Sequence, residues 1–372
     1  MRRDARWTVG FVLLFCVILQ VTIGRLIPVE WLYHYRVDYE SVKGNMAAGL
    51  HAAIERIDAE IRANPNQEYV ILLGDSVTYS GPGGPEQSIG YYLEQWSRGA
   101  TAEDRAGLAP QEVAPRKDQG RPVKVYNLAE PGMMAGDIYT VLLMLQEKQI
   151  PLKKVALNLI YAGFPARGPG QPYFGWLGEE LHRLDRTAWA KAGGLESQRP
   201  DWTKRFRQTI LSPLSIWAYR DVLRARLLSP FGLGAAKEVT DVRPWTEKPT
   251  LKELMRQPLY QTVVDPRPLD LTDANPNVYL WNRMLDRLHE AGADVFVYFS
   301  PVNQGLMGEW TKDPGYQANV KQIDGLFSQK PIRYVNLESG FMPDSLFTDH
   351  LHLIPEGYQR LAGAIGQAFL SH

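Results

Sequence analysis

Cysteine is almost absent from this 372-residue chain. The one present, Cys16, lies in an apolar stretch near the N-terminus and has no partner within the chain. That excludes a disulfide scaffold and a cysteine-based zinc site. Neither sign of charge is in excess, with 41 Lys and Arg against 41 Asp and Glu, so nothing argues for nucleic acid or another polyanion as partner. Histidine is scarce, seven in all, which shortens any search for a general base. Internal repeats and low-complexity segments are missing too. What remains is an ordinary globular composition, 45% hydrophobic and 22% charged, on a chain long enough for one large core with an insertion.

There is a single long apolar run. Arg2, Arg3 and Arg6 precede residues 7–24, WTVGFVLLFCVILQVTIG, which carry no charge. At 1.5 Å per residue the run reaches roughly 27 Å, enough to span a thin hydrocarbon core. The arginines would hold the N-terminus in the cytoplasm and leave the rest outside it. The competing readings are a cleaved signal peptide and a buried core helix. The length of the run and the lack of a small-x-small site in GRLIPVEW favour an uncleaved single-pass anchor in the lipid bilayer. Gln20 and Thr22, polar residues within it, are candidates to face a partner helix. Residues 26–40, rich in Trp and Tyr, are expected to skirt the membrane surface. The domain layout is then an anchor over 1–25, a juxtamembrane segment and helix over 26–66, and a main domain over 67–372.

Within that layout, Leu50, Ile54, Ile57 and Ile61 recur at helical spacing and predict a helix over about 41–63. Five short apolar, β-branched runs follow: 68–73 (EYVILL), 124–128 (KVYNL), 154–160 (KVALNLI), 294–300 (DVFVYFS) and 332–337 (IRYVNL). These read as strands buried on both faces. Val278, Trp281, Leu285 and Leu288 mark a helix stopped at Gly292, and Tyr358, Leu361, Ile365 and Phe369 mark a last one. The alternation predicts an α/β domain, a five-stranded parallel sheet with helices on both faces. Residues about 165–272, rich in Pro, Trp and Arg and including PLSIWAYRDVLRARLL, are too long for a crossover. They form either a partly helical cap over the sheet's C-terminal edge or a surface decoration.

Sites in such sheets form beyond the carboxyl ends of the strands. Gly74-Asp75-Ser76 follows the first strand, Ala129-Glu130-Pro131-Gly132 the second, Pro301-Val302-Asn303 the fourth, and Thr348-Asp349-His350-Leu351-His352 comes after the fifth. A serine hydroxyl is a poor nucleophile without a base. His34 is near the membrane, His372 is terminal, and His51, His182 and His289 sit on helical patterns as surface residues. That leaves His350 and His352. Asp349 stands three residues before His352, a spacing that lets its carboxylate bond one imidazole nitrogen while the other faces Ser76. His350, adjacent to Asp349, points elsewhere. Two other readings of this segment are a solvated loop and a zinc site that lacks a nameable further ligand.

Together these blocks resemble the SGNH (GDSL-like) hydrolase superfamily. Gly74-Asp75-Ser76 matches the first block and Asp349-His350-Leu351-His352 the last. NLAEPG matches the second, which makes Gly132 an oxyanion donor beside the Ser76 amide. The resemblance runs from about 68 to 370, the insertion excepted, and implies a three-layer flavodoxin-like fold. The third block, Gly-x-Asn-Asp, is missing: the third strand gives LNLIYAGF, with Asn158 inside the strand pattern. Asn303 is the candidate substitute donor, with Asn158 the other. This departure, the anchor and the insertion are similar to membrane-anchored SGNH proteins of cell-envelope O-acylation, such as those of teichoic-acid D-alanylation and alginate O-acetylation. The resemblance implies an extracytoplasmic serine acyltransferase or esterase. It would move an O-acyl group, acetyl first among the candidates, to or from an envelope polysaccharide, beside a membrane-bound O-acyltransferase and with no cofactor or metal. Tyr173, Trp176, Trp189 and Trp202 are candidate sugar platforms or core residues. The rival functions are a stand-alone esterase or lipase and a non-catalytic scaffold subunit.

Overall fold

The computed structural model describes residues 29–98, 122–168, 170–195, 241–257 and 262–370, with isolated positions between 7 and 27 and between 219 and 226. Five strands form one sheet: β1 Tyr69–Leu73, β2 Lys124–Asn127, β3 Lys154–Leu159, β4 Asp294–Phe299 and β5 Arg333–Asn336. Their order is β2-β1-β3-β4-β5 and every pairing is parallel. Each expected strand is present within a residue or two of its expected ends. The winding reverses between β1 and β3, and in such sheets a crevice opens beyond the carboxyl ends of strands at that point.

The helices that frame the sheet and site are α1 Met46–Ala63, α2 Ser76–Tyr79, α3 Ile89–Ser97, α4 Ala135–Glu147, α5 Gly178–Leu184, α6 Arg186–Lys191, α7 Pro276–Glu290, α8 Gln304–Thr311, α9 Pro314–Ser328 and α10 Pro355–Leu370. Successive residues of β1 point to opposite faces. Tyr69, Ile71 and Leu73 join a core with α1, α4 and α7. Val70 and Leu72 join a second core with α3 and α10. The apolar stripes read from the sequence are the buried ones: Leu50, Ile54 and Ile57 on α1, Trp281 and Leu288 on α7, Leu361, Ile365 and Phe369 on α10. Each such side chain contributes roughly 1.5–3 kcal/mol by leaving water. Asn275 caps α7 by accepting from the Asn277 N–H at 2.9 Å, and Pro276 occupies its first turn, where a missing N–H costs nothing.

Residues 29–40, expected at the membrane surface, pack into the domain. Leu32, Tyr33 and Val37 are buried in the core. The Tyr33 hydroxyl donates to Val125 O at 2.7 Å and accepts from the Asn127 N–H at 2.8 Å. It thereby satisfies backbone groups on the edge strand β2 that would otherwise lack a partner. Arg36 reaches further. Its guanidinium donates to Tyr79 O, Ser80 O and Gly83 O at 2.8, 2.9 and 2.5 Å and stacks 3.9 Å over the Tyr79 ring. Tyr33 fastens this segment to β2, and Arg36 fastens it to the turn after β1.

The described parts of the insertion make contacts both with the helical layer and with the turns beyond the strands. Its helix α5 lies against α4, and α6 packs on α5 and α7: Arg183 pairs with Glu147 at 2.6 and 2.7 Å, and the Tyr139 hydroxyl donates to Asp185, the cap of α6, at 2.9 Å. His51 on α1 is tied to Glu180 at 2.7 Å. Two short stretches, 175–177 and 241–248, reach the turns beyond the strands. PLSIWAYRDVLRARLL lies outside the described residues except for isolated positions. So does most of the expected anchor over 7–24. Its described positions are helical, and among them Trp7, Phe11, Leu14, Phe15, Val17 and Ile18 are more than half exposed. Gln20 lies outside the described residues, and the Thr22 hydroxyl bonds back to Ile18 O at 2.8 Å. Among the described residues no helix is long and apolar enough to cross a membrane.

Candidate active site

The site begins with the abrupt turn from β1 into α2. Asp75 caps α2, its carboxylate accepting from the Val77 N–H at 2.9 Å. Asn158, at the end of neighbouring β3, donates to the same carboxylate at 2.7 Å and accepts from the Asp75 N–H at 3.1 Å. Gly74 makes this crossing possible: a Cβ there would stand 2.0 Å from Asn158 Oδ1 and 2.4 Å from Thr78 Oγ1. Of residues 70–80, Ser76 alone is not buried. We therefore expect Gly74→Ala to destabilise the fold by about 1–3 kcal/mol, read as a fall in Tm. A variant that melts with the wild type would refute the packing argument.

His352 meets this serine from the far side of the crevice. Its Nε2 is 2.8 Å from Ser76 Oγ and its Nδ1 is 2.7 Å from Asp349 Oδ2. The other Asp349 oxygen accepts from the backbone N–H groups of Leu351 and His352 at 2.9 and 2.8 Å. The turn is closed by the Thr348 N–H on His352 O at 2.8 Å and by a bridge between Phe347 and Leu353. His350 Nδ1 lies 3.6 Å from Asp349 Oδ1. Burial pushes its imidazole below the ordinary value, opposed by Asp349.

The charges sort the two carboxyls. Burial works against ionised Asp349, but the charge and hydrogen bond of His352 overcome it and hold the carboxyl well below the usual range. Burial also pushes His352 down. The Asp349 charge and hydrogen bond, aided by the Asp75 charge, more than offset that, and His352 ends above its ordinary value. At Asp75 burial outweighs its hydrogen bonds, and the carboxyl is raised. Asp349 is thus the ionised partner that fixes the imidazole, while Asp75 shapes the turn.

Both candidate asparagines are engaged by protein atoms. Asn158 is buried, and its amide is engaged by Asp75 and, at 3.4 Å, by Ser300. Asn303 is fully buried. It caps α8 through the Leu306 N–H at 3.0 Å and donates to Asp349 O at 2.8 Å, so it braces the acid–base turn. Two backbone donors remain. Among the described residues the N–H groups of Ser76 and Gly132 have no hydrogen-bond partner, whereas that of Val77 is taken by Asp75. Gly132 is exposed, in a turn beyond β2, the strand next to β1.

Of the four aromatic candidates, Tyr173 and Trp189 are buried in the core and Trp202 lies outside the described residues. Trp176 is 39% exposed, and its indole N–H donates to Pro131 O at 2.9 Å. Sequence reasoning missed the second contact of the insertion. The Lys248 ammonium donates to Thr348 O and Asp241 O at 3.0 and 2.9 Å, and its charge weakly opposes protonation of His352. No local pattern marks such a lysine.

Glu130 was also missed. It is fully buried, both its carboxyl oxygens lack a partner among the described residues, and burial raises its pKa well above the usual range against the Arg36 charge. A raised carboxyl favours the folded state below its unfolded value of 4.5, and that contribution is lost as pH rises through the folded pKa. Glu130→Gln should therefore raise Tm at pH 8 and leave it unchanged at pH 4. A pH-independent difference would contradict the burial argument.

Among the described residues no group of three or more His, Cys, Asp or Glu side chains gathers as a metal site, and both ring nitrogens of His352 are engaged by protein atoms. In comparisons with known proteins, no family model matches the sequence and no curated protein matches it either.

Proposed function

We propose that the protein is a serine acyltransferase or esterase of the SGNH type, working by double displacement. The observation that carries this reading is the continuous hydrogen-bonded chain Ser76–His352–Asp349 at 2.8 and 2.7 Å. Ser76 Oγ attacks an acyl carbonyl while His352 Nε2 takes its proton, and Asp349 steadies the imidazolium. The Ser76 and Gly132 amides receive the oxyanion. The alkoxide leaves with the proton from His352. An incoming hydroxyl then gives its proton to His352, attacks the acyl-serine and frees Ser76.

The incoming hydroxyl decides between transfer and hydrolysis. An acceptor sugar of an envelope polysaccharide is the preferred one, with acetyl the preferred acyl group. Support for an envelope setting comes from the charge-flanked apolar run over 7–24. On this reading it anchors the catalytic domain outside the cytoplasm, beside a membrane-bound O-acyltransferase. Stand-alone ester hydrolysis is the second reading. It is favoured by the openness of the pair, the His352 and Asp349 side chains being 24% and 27% exposed, which leaves water free to compete.

The test is intact-protein mass spectrometry of the full chain incubated with p-nitrophenyl acetate, beside Ser76→Ala. An acetyl adduct on the wild type alone, mapped to Ser76, is the expected result. If the wild type gives no adduct and no release, even with a membrane acyltransferase supplied, the acyl-enzyme reading fails and a scaffold role takes its place.

A further inference from the structure

Gly132 belongs to the turn Glu130-Pro131-Gly132-Met133, closed by the Met133 N–H on Glu130 O at 3.2 Å. Proline at its second position and glycine with φ +76° at its third identify a type II turn. A type I turn over the same four residues differs mainly by rotation of the central peptide, the unit formed by the Pro131 carbonyl and the Gly132 N–H. That unit is planar and trans, so its C=O and N–H point in opposite directions. Whatever fixes Pro131 O also fixes where the Gly132 N–H points.

Pro131 O is held by the indole N–H of Trp176 at 2.9 Å. Trp176 is itself tightly placed. The Asp137 carboxylate, in the first turn of α4 and fully buried, accepts from the N–H groups of Gly175, Trp176 and Leu177 at 2.7, 2.9 and 2.7 Å. It also accepts from Met134 at 3.0 Å, just past the turn. One carboxylate therefore binds the insertion to the segment carrying Gly132, and the indole completes the link at the central peptide.

We propose that Trp176 is a positioning residue for the oxyanion hole: by holding Pro131 O it selects the turn in which the Gly132 N–H is presented away from the insertion, free to donate. The insertion thus carries a part of the catalytic apparatus that the sheet alone lacks. This rests on the acyl-enzyme reading above. Without the indole N–H the central peptide rotates more freely, and the hole loses one donor for part of the time.

The experiment replaces Trp176 in the full chain with 3-benzothienylalanine, which keeps the bicyclic ring and exchanges N–H for sulfur, with Trp176→Phe as a second variant. Steady-state and burst kinetics with p-nitrophenyl acetate are read beside thermal melting. Expected are a fall in kcat and acylation rate of about 10- to 100-fold with KM nearly unchanged, and a melting curve like the wild type for the isostere. Wild-type rates in the isostere overturn the proposal while the acyl-enzyme reading stands. A rise in KM alone also overturns it, making the ring a substrate contact. If the wild type itself is never acylated, the reading and this inference fall together.

Discussion

Replacing Ser76 or His352 with alanine should lower acyl turnover by about 10⁶-fold, and replacing both should cost little more than either alone. The saturation follows from the geometry. The serine hydroxyl becomes a nucleophile only as Nε2, 2.8 Å away, removes its proton, so once one partner is gone the other has nothing to act on. Residual activity should come from the Ser76 and Gly132 amides, which either change leaves in place. Stability is the control. Neither side chain is in the core, and near-wild-type melting would separate lost chemistry from lost folding. Wild-type turnover in either single variant would remove that residue from the mechanism. A double variant far worse than both singles would mean that two groups act independently and the hydrogen-bonded chain is incidental.

The parts of the fold legible in the sequence are those set by short-range pattern. β1, and β3 and β4 beyond their charged first residues, are buried on both faces, so each reads as an apolar run, interrupted in β3 by Asn158, and α1, α7 and α10 bury one stripe at helical spacing. The acid–base pair was legible for a similar reason. Three residues from Asp349 to His352 span one turn, and carboxylate and imidazole meet within it at 2.7 Å. Ser76 could be read as a candidate because the break after an apolar strand implies a site beyond its end.

Contacts between distant segments left no such trace. Residues 26–40 look like an interfacial belt because Tyr and Trp are amphipathic wherever they occur. That the Tyr33 hydroxyl fastens β2 and Arg36 clamps Tyr79–Gly83 follows only from the path of the chain. Asn158 and Asn303 show the matching limit for polar residues. An amide near a strand end has donors and an acceptor, and sequence does not say which backbone group they meet. Both brace the two turns that hold Ser76 and His352. The insertion has too little periodicity to be placed, which is why Trp176 and Lys248 had no assigned contacts before the fold was known.

Asp349→Asn is expected to cut kcat by about 10⁴-fold and to move the pH profile. Catalysis needs neutral His352, so the rate rises with pH through the His352 pKa. In the wild type, burial pulls that pKa down and the Asp349 charge and hydrogen bond lift it above 6.5, so the acidic limb lies above pH 6.5. With asparagine the lifting charge is gone and burial remains, so the limb should shift to lower pH while the plateau falls. The stability of the pair changes in step. Raised His352 contributes fully below its unfolded value of 6.5, and that contribution is lost as pH rises through the folded pKa. Depressed Asp349 contributes fully above its unfolded value of 3.8, and its contribution is lost as pH falls through the folded pKa. The variant should therefore lose most Tm between about pH 4 and 6.5. Rate–pH profiles and melting curves taken on the same buffers check both. An acidic limb that stays in place, or moves upward, would mean that Asp349 does not set the His352 pKa and that the 2.7 Å contact is not the working ion pair.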